Sequence, residues 1–223
     1  MRMRVAVCQL NARDDRAANL VAAGELLKKA AAAGADLAVL PEYVDYLGPA
    51  AGVPKPEPVD GEFAAFFATT ARALGMWVLA GSFHETGPDP ERTYNTSLVF
   101  DRDGELAASY RKIHLYDVEI PGRVSYQESR SVAPGTESVV VNVEGVPVGL
   151  SICYDLRFPS CTGAWRSTAR RCWSCRPRSC CTPGGITGRC SCAPGRSKTS
   201  ATWWPPARSA TTTPAARASA AAW

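Results

Sequence analysis

An acid, an amine and a thiol stand in order at Glu42, Lys112 and Cys153, each just beyond a short apolar run. The runs Leu37–Leu40, Leu106–Arg111 and Val146–Ile152 read as strands, and open α/β sheets assemble their sites beyond the carboxyl ends of strands. Together the three groups suit acyl transfer. The thiol attacks a carbonyl carbon, the carboxylate moves the proton, and the ammonium steadies the negative oxygen. Neither serine nor histidine is required. Spacing alone leaves a plainer alternative open, in which Glu42 and Lys112 are solvated loop charges and Cys153 is a small core residue.

The elements around these residues alternate between strand and helix. Val5–Leu10 suits a buried strand, with Cys8 as a core residue. Asp14 or Asp15 then offers an N-cap to an Ala- and Leu-rich helix that runs to about Ala33 and is closed by Gly34. Residues 43–60 hold four prolines and two glycines and form a loop, and Phe63, Phe66 and Phe67 give Glu62–Leu74 helical spacing. Trp77–Phe83 and Tyr94–Phe100 read as strands, and Asp101-Arg102-Asp103-Gly104 turns the chain into Leu106–Arg111. Glu144-Gly145 joins Val139–Val143 to Val146–Ile152 as a tight hairpin. Interleaving of this kind predicts a layered α/β fold.

Charge divides the chain at residue 159. The total of +4 combines −6 over residues 1–159 with +10 over residues 160–223, where no acid occurs. The basic surplus therefore does not mark the first piece as a partner of nucleic acid or membrane. No run approaches the roughly 20 apolar residues of a membrane helix, and the amino-terminal apolar run is too short for a signal-peptide core. A cytoplasmic location with reduced thiols is expected.

Three segments carry a family resemblance. Leu40-Pro41-Glu42, Tyr110-Arg111-Lys112-Ile113-His114-Leu115 and Ile152-Cys153-Tyr154-Asp155-Leu156-Arg157-Phe158-Pro159 are similar, in order, to the three signature blocks of the nitrilase superfamily of carbon–nitrogen hydrolases. The similarity spans residues 4–159. It implies an α-β-β-α sandwich, with Glu42 as general base, Lys112 as oxyanion stabiliser and Cys153 as nucleophile, the backbone N–H of Tyr154 helping to hold the oxyanion. The stretch from His114-Leu115-Tyr116-Asp117-Val118 through Pro121-Gly122 to Tyr126-Gln127-Glu128-Ser129 resembles the omega-amidase and deaminated-glutathione amidase branch. That match makes Glu128 a second glutamate that positions Lys112 and the substrate amide. His114 is expected to pack behind the site, and Asp155 and Arg157 to form an ion pair beside the nucleophile. The implied reaction converts a small primary amide, an omega-amide of a 2-oxo acid or a deaminated peptide, to carboxylate and ammonia through a thioester. No cofactor or metal is implied, and homo-oligomers are. Nitrilases and carbamoylases share the triad and are the alternative enzymes.

Residues 160–223 contain no Leu, Val, Phe or Tyr and one Ile, but seven of the nine cysteines and five of the six tryptophans. They offer no periodic apolar face and are expected to stay disordered. A one-base change of reading frame explains them. Ser160-Cys161-Thr162 can be encoded AGC TGT ACC, and one G placed before it makes GAG CTG TAC, Glu-Leu-Tyr, the continuation expected of the resemblance. Trp203-Trp204-Pro205 must be TGG TGG CCN, so the shifted frame there is forced to Val-Ala. Residues 1–159 are thus expected to be the amino-terminal part of a hydrolase domain, and the chain as written to be poorly soluble and inactive. A rival of another class reads Cys172-Trp173-Ser174-Cys175 and Cys190-x-Cys192 as a zinc or nucleic-acid binding module.

Overall fold

The computed structural model describes residues 3–158. The frame change after Pro159, the expected tail and the cysteine module at Cys172 and Cys175 lie outside the described residues.

Strand β1 (Val5–Val7) leads through helix α1 (Arg16–Ala32) to β2 (Leu37–Val39), and helix α2 (Glu62–Leu74) leads to β3 (Trp77–Asp89), β4 (Arg92–Phe100) and β5 (Leu106–Arg111). These five strands form one sheet in the order β1-β2-β3-β4-β5, parallel from β1 to β3 and antiparallel from β3 to β5. Two hairpins follow, β6 (Asp117–Ile120) with β7 (Val124–Gln127), and β8 (Val140–Val143) with β9 (Val146–Gly149).

The local signals behind these elements are visible. The Asp15 carboxylate accepts from the Ala18 N–H at 3.0 Å and caps α1, which satisfies one of the orphan donors of the first turn. Gly75 closes α2 in the left-handed conformation at φ 57°. Glu144 and Gly145 both take positive φ, 50° and 81°, the pair of left-handed residues that a two-residue hairpin requires.

Side chains alternate across the sheet and feed two cores. On one face Val78, Ala80, Leu98 and Phe100 pack under the helices against Leu27, Phe63 and Phe67. Phe63 stacks on Phe83 with ring centroids 4.5 Å apart. On the other face Leu37, Val99 and Tyr110 meet Val141, Val143, Leu150 and Ile152 from the β8–β9 side. The order of layers is therefore helices, sheet, second sheet, which is three of the four layers of an α-β-β-α sandwich.

One glycine brings the sheet against the acid. Gly81 lies at a shift in the β3–β4 register with φ +71°, and a Cβ there would come within 2.0 Å of the Pro41 carbonyl oxygen. That close approach lets the Ser82 N–H donate to Pro41 O at 3.2 Å and fixes the turn carrying Glu42. Gly81→Ala is expected to cost about 1–3 kcal/mol through strained φ and displacement of this turn. A thermal melt checks it, and an unchanged midpoint would contradict the account.

Candidate active site

Lys112 directly follows β5, and its side chain is 2% exposed. Its backbone is fixed on both sides, the N–H donating to Asn95 O at 2.9 Å and the carbonyl accepting from Gly135 N–H at 2.8 Å. The ammonium donates to Glu42 Oε1 at 2.9 Å and to Glu128 Oε1 and Oε2 at 3.0 and 2.9 Å. Burial alone pulls the lysine pKa down, but the charges and hydrogen bonds of Glu42 and Glu128 outweigh it and hold the group above its ordinary value. Lys112 is thus a cation at neutral pH, and a buried cation persists only where partners of this kind surround it.

Glu128 opens a short 3-10 turn (Glu128–Arg130) and is buried. Besides Lys112 it accepts from the Tyr116 N–H at 2.6 Å and from the Tyr43 hydroxyl at 3.3 Å. Burial and then the Glu128 charge push the Tyr43 phenol upward, so it remains a donor. Glu42, on the turn after β2, is the more open acid at 26% exposure, and its Oε1 accepts from Asn95 Nδ2 at 2.8 Å as well as from Lys112.

Cys153 begins a second 3-10 turn (Cys153–Arg157) with φ 48° and is exposed. A cavity of about 310 Å³ is lined by Glu42, Ser82, Ser97, Val148, Ser151 and Cys153. Desolvation first, then the charge of Glu42, raises the thiol pKa, and Lys112 offsets only part of this. The thiol is therefore protonated at neutral pH and needs a base, and Glu42, whose charge acts on it, lines the same cavity.

The turn behind the thiol is held by Asp155, which is fully buried. Asp155 accepts from the Ile152 N–H at 2.9 Å, the Tyr110 hydroxyl at 2.7 Å and the His114 N–H at 2.9 Å, and lies 2.8 Å from His114 Nδ1. The expected pairing of Asp155 with Arg157 is corrected here. The tight turn directs Asp155 inward beneath the Ile152 amide and leaves Arg157 exposed, so the partner of the carboxylate is His114. His114 packs as expected, its ring stacked on Phe158 at 3.8 Å. Tyr154 sits edge-on to Tyr116 and Phe158.

The structure thus joins Glu42, Lys112 and Glu128 in one bonded cluster, sets Cys153 on the cavity that Glu42 lines, and keeps Asp155 and His114 behind it. Sequence reasoning missed Asn95, Tyr43 and Tyr110. Asn95-Thr96-Ser97 is a polar run between Tyr94 and the apolar Leu98-Val99-Phe100, and all three residues are buried. That run was the available signal, since buried polar groups must find partners. No group of three or more His, Cys, Asp or Glu side chains able to hold a metal occurs among the described residues. No helix among them is long and apolar enough to cross a membrane.

The chain is 42% identical over 162 residues to human deaminated glutathione amidase, covering 70% of this chain and 49% of that protein. It is 37% identical over 158 residues to the Danio rerio omega-amidase NIT2, covering 70% and 56%. It spans about half the length of the curated relatives it matches. The C. elegans NitFhit crystal structure superimposes with a TM-score of 0.67 at 32% identity, covering 76% of this chain and 43% of that one. The family model for carbon-nitrogen hydrolases matches residues 4–168, taking in every element that positions Glu42, Lys112 and Cys153, and the chain belongs to that family.

Proposed function

We propose that the domain begun by this chain hydrolyses the carbon–nitrogen bond of a small primary amide through a thioester on Cys153. The observation that carries the reading is the Lys112 ammonium, buried between Glu42 and Glu128, with Glu42 reaching from that pair to the cavity of Cys153. Glu42 takes the thiol proton, and the sulfur attacks the amide carbon. The negative oxygen that forms is held by Lys112 and the Tyr154 N–H. Glu42 returns the proton to the departing nitrogen, and ammonia leaves. Glu42 next draws a proton from water, the hydroxide adds to the thioester, and the carboxylic acid and free thiol are regenerated. The Lys112 hydrogens already have acceptors, so an oxyanion must displace one contact of the Glu128 chelate. Glu128 then serves as the acid that aims the ammonium.

The relatives' names direct the substrate reading to an omega-amide of a 2-oxo acid or a deaminated peptide. We propose also that the chain as written does not turn over. The oxyanion contacts of Lys112 and the Tyr154 N–H weaken in a site open to bulk water, and Cys153 is exposed. One G reinserted after the Pro159 codon should restore the family continuation. The test is ammonia release from the omega-amide of a five-carbon 2-oxo dicarboxylic acid. Equimolar ammonia and dicarboxylate from the frame-restored chain, with none from the 223-residue chain, is the expected result. Release of ammonia from nitriles but not from amides would overturn the amidase reading, and turnover by the chain as written would overturn the claim of inactivity.

A further inference from the structure

Asn95 occupies the middle of β4, between β3 and β5, and is fully buried. Its backbone carbonyl accepts the Lys112 N–H, and its side-chain Nδ2 donates to Glu42 Oε1 at 2.8 Å. One residue therefore fixes the backbone of the cation and the carboxylate of the acid. The other end of its amide, Oδ1, is buried and finds no partner among the described residues. A half-satisfied amide is a poor choice for stability, since a buried acceptor left unpaired loses its hydration without return. The orientation is nonetheless fixed by chemistry, because only the NH₂ end can face a carboxylate oxygen.

Resting on the assignment of Glu42 as the base, we propose that Asn95 is a positioning residue that divides the labour of the Glu42 carboxylate between its two oxygens. Asn95 and Lys112 both donate to Oε1, which anchors that oxygen from two directions and sets the plane of the group. Oε2 is left to exchange the proton with Cys153. A neutral amide suits the task. A second cation would weaken the carboxylate as a base, whereas a carboxylate in its place would compete with Glu42 for a proton. The ionisable groups that face Glu42 are Lys112 just past β5, Cys153 from its turn, and Glu128 and Tyr43 across the ammonium.

The test reads the base without requiring turnover. Alkylation of Cys153 by iodoacetamide in the 223-residue chain is followed by mass spectrometry of its peptide between pH 4 and 10, which separates it from the other cysteines. Base assistance by Glu42 appears as a step in the profile, and Glu42→Gln should remove that step. Withdrawing the Asn95 donor favours the protonated carboxylate, so Asn95→Ala should move the step up by about one pH unit and the isosteric Asn95→Asp further. A step that disappears in Glu42→Gln but stays in place in both Asn95 variants overturns the positioning role and leaves the base assignment intact. A step that survives in Glu42→Gln overturns the base assignment and this proposal with it. If both Asn95 variants lose a cooperative melt that the parent chain shows, Asn95 is a folding residue and the proposal falls.

Discussion

Cys153→Ala in the frame-restored chain is expected to abolish amide hydrolysis while leaving the fold nearly unchanged. The first half follows from the order of the chemistry. Every later step acts on a thioester, and a methyl group cannot form one, so Glu42 and Lys112 have nothing to act upon. The second half follows from position. Cys153 is exposed at the start of a turn whose anchor is Asp155, and the hydrogen bonds of Asp155 to Ile152, Tyr110 and His114 do not involve the thiol. Loss of a small side chain that the turn does not use should therefore change stability by about 1 kcal/mol at most. Cys153→Ser is expected to be almost as inactive, because the hydroxyl keeps its proton far more tightly than the thiol that Glu42 is set to deprotonate. Ammonia release and thermal melting measured on the same preparations check both halves. Activity in Cys153→Ala at about a tenth of the parent or more would refute covalent catalysis, whereas inactivity with a collapsed melt would show that the residue is structural.

The positions of Glu42, Lys112 and Cys153 just beyond apolar runs were legible, since in such folds chain position beyond a strand becomes position at a candidate site, whereas their roles rested on the family resemblance. Helix α2 was legible to the residue, since its phenylalanines fix the buried face and Gly75 ends it. The strands were less so. β3 runs on to Asp89 and turns at Pro90-Glu91 into β4, although Gly87-Pro88 looks like a break. Pairing with β4 overrides that local signal, and Gly87 is where the Arg92 backbone comes closest. The β6–β7 hairpin was missed even though Val118, Ile120 and Pro121-Gly122 mark a strand and a turn. Its strands are only four residues each and β6 carries two acids, so periodicity is thin there. The strand before Cys153 was placed too far, to Ile152, whereas β9 ends at Gly149 and the segment from Leu150 to Ile152 is drawn inward by core packing and by Asp155. Partner choice was the least legible feature. Asp155 bonds His114, 41 residues away, in preference to Arg157 two residues away, because burial and turn direction decide it and neither is written in local spacing.

Lys112→Met should lower amide turnover by about 100- to 1000-fold, the usual effect of losing one oxyanion donor at about 2.7–4 kcal/mol. The substitution also leaves Glu42 and Glu128 facing each other without the cation they share, and breaking a buried ion pair by removing one partner costs about 3–5 kcal/mol of stability. A loss of activity alone would therefore not separate chemistry from unfolding. Alkylation of Cys153 does, because it passes through no oxyanion and asks of Lys112 only its electrostatic pull on the thiol and its hold on Glu42. That pull lowers the thiol pKa against the larger effects of desolvation and Glu42, so its removal should push the alkylation profile to higher pH and slow the reaction near neutrality by several-fold, not by orders of magnitude. Lys112→Arg is expected not to rescue hydrolysis. The pocket offers three acceptor oxygens around one nitrogen, and a planar guanidinium fork does not reproduce that point of charge. The decisive comparison is the ratio of amide turnover to alkylation in the folded fraction of the frame-restored chain. A fall in that ratio of about 100-fold or more in Lys112→Met assigns Lys112 to the oxyanion, and equal losses in both reactions would assign it to the fold.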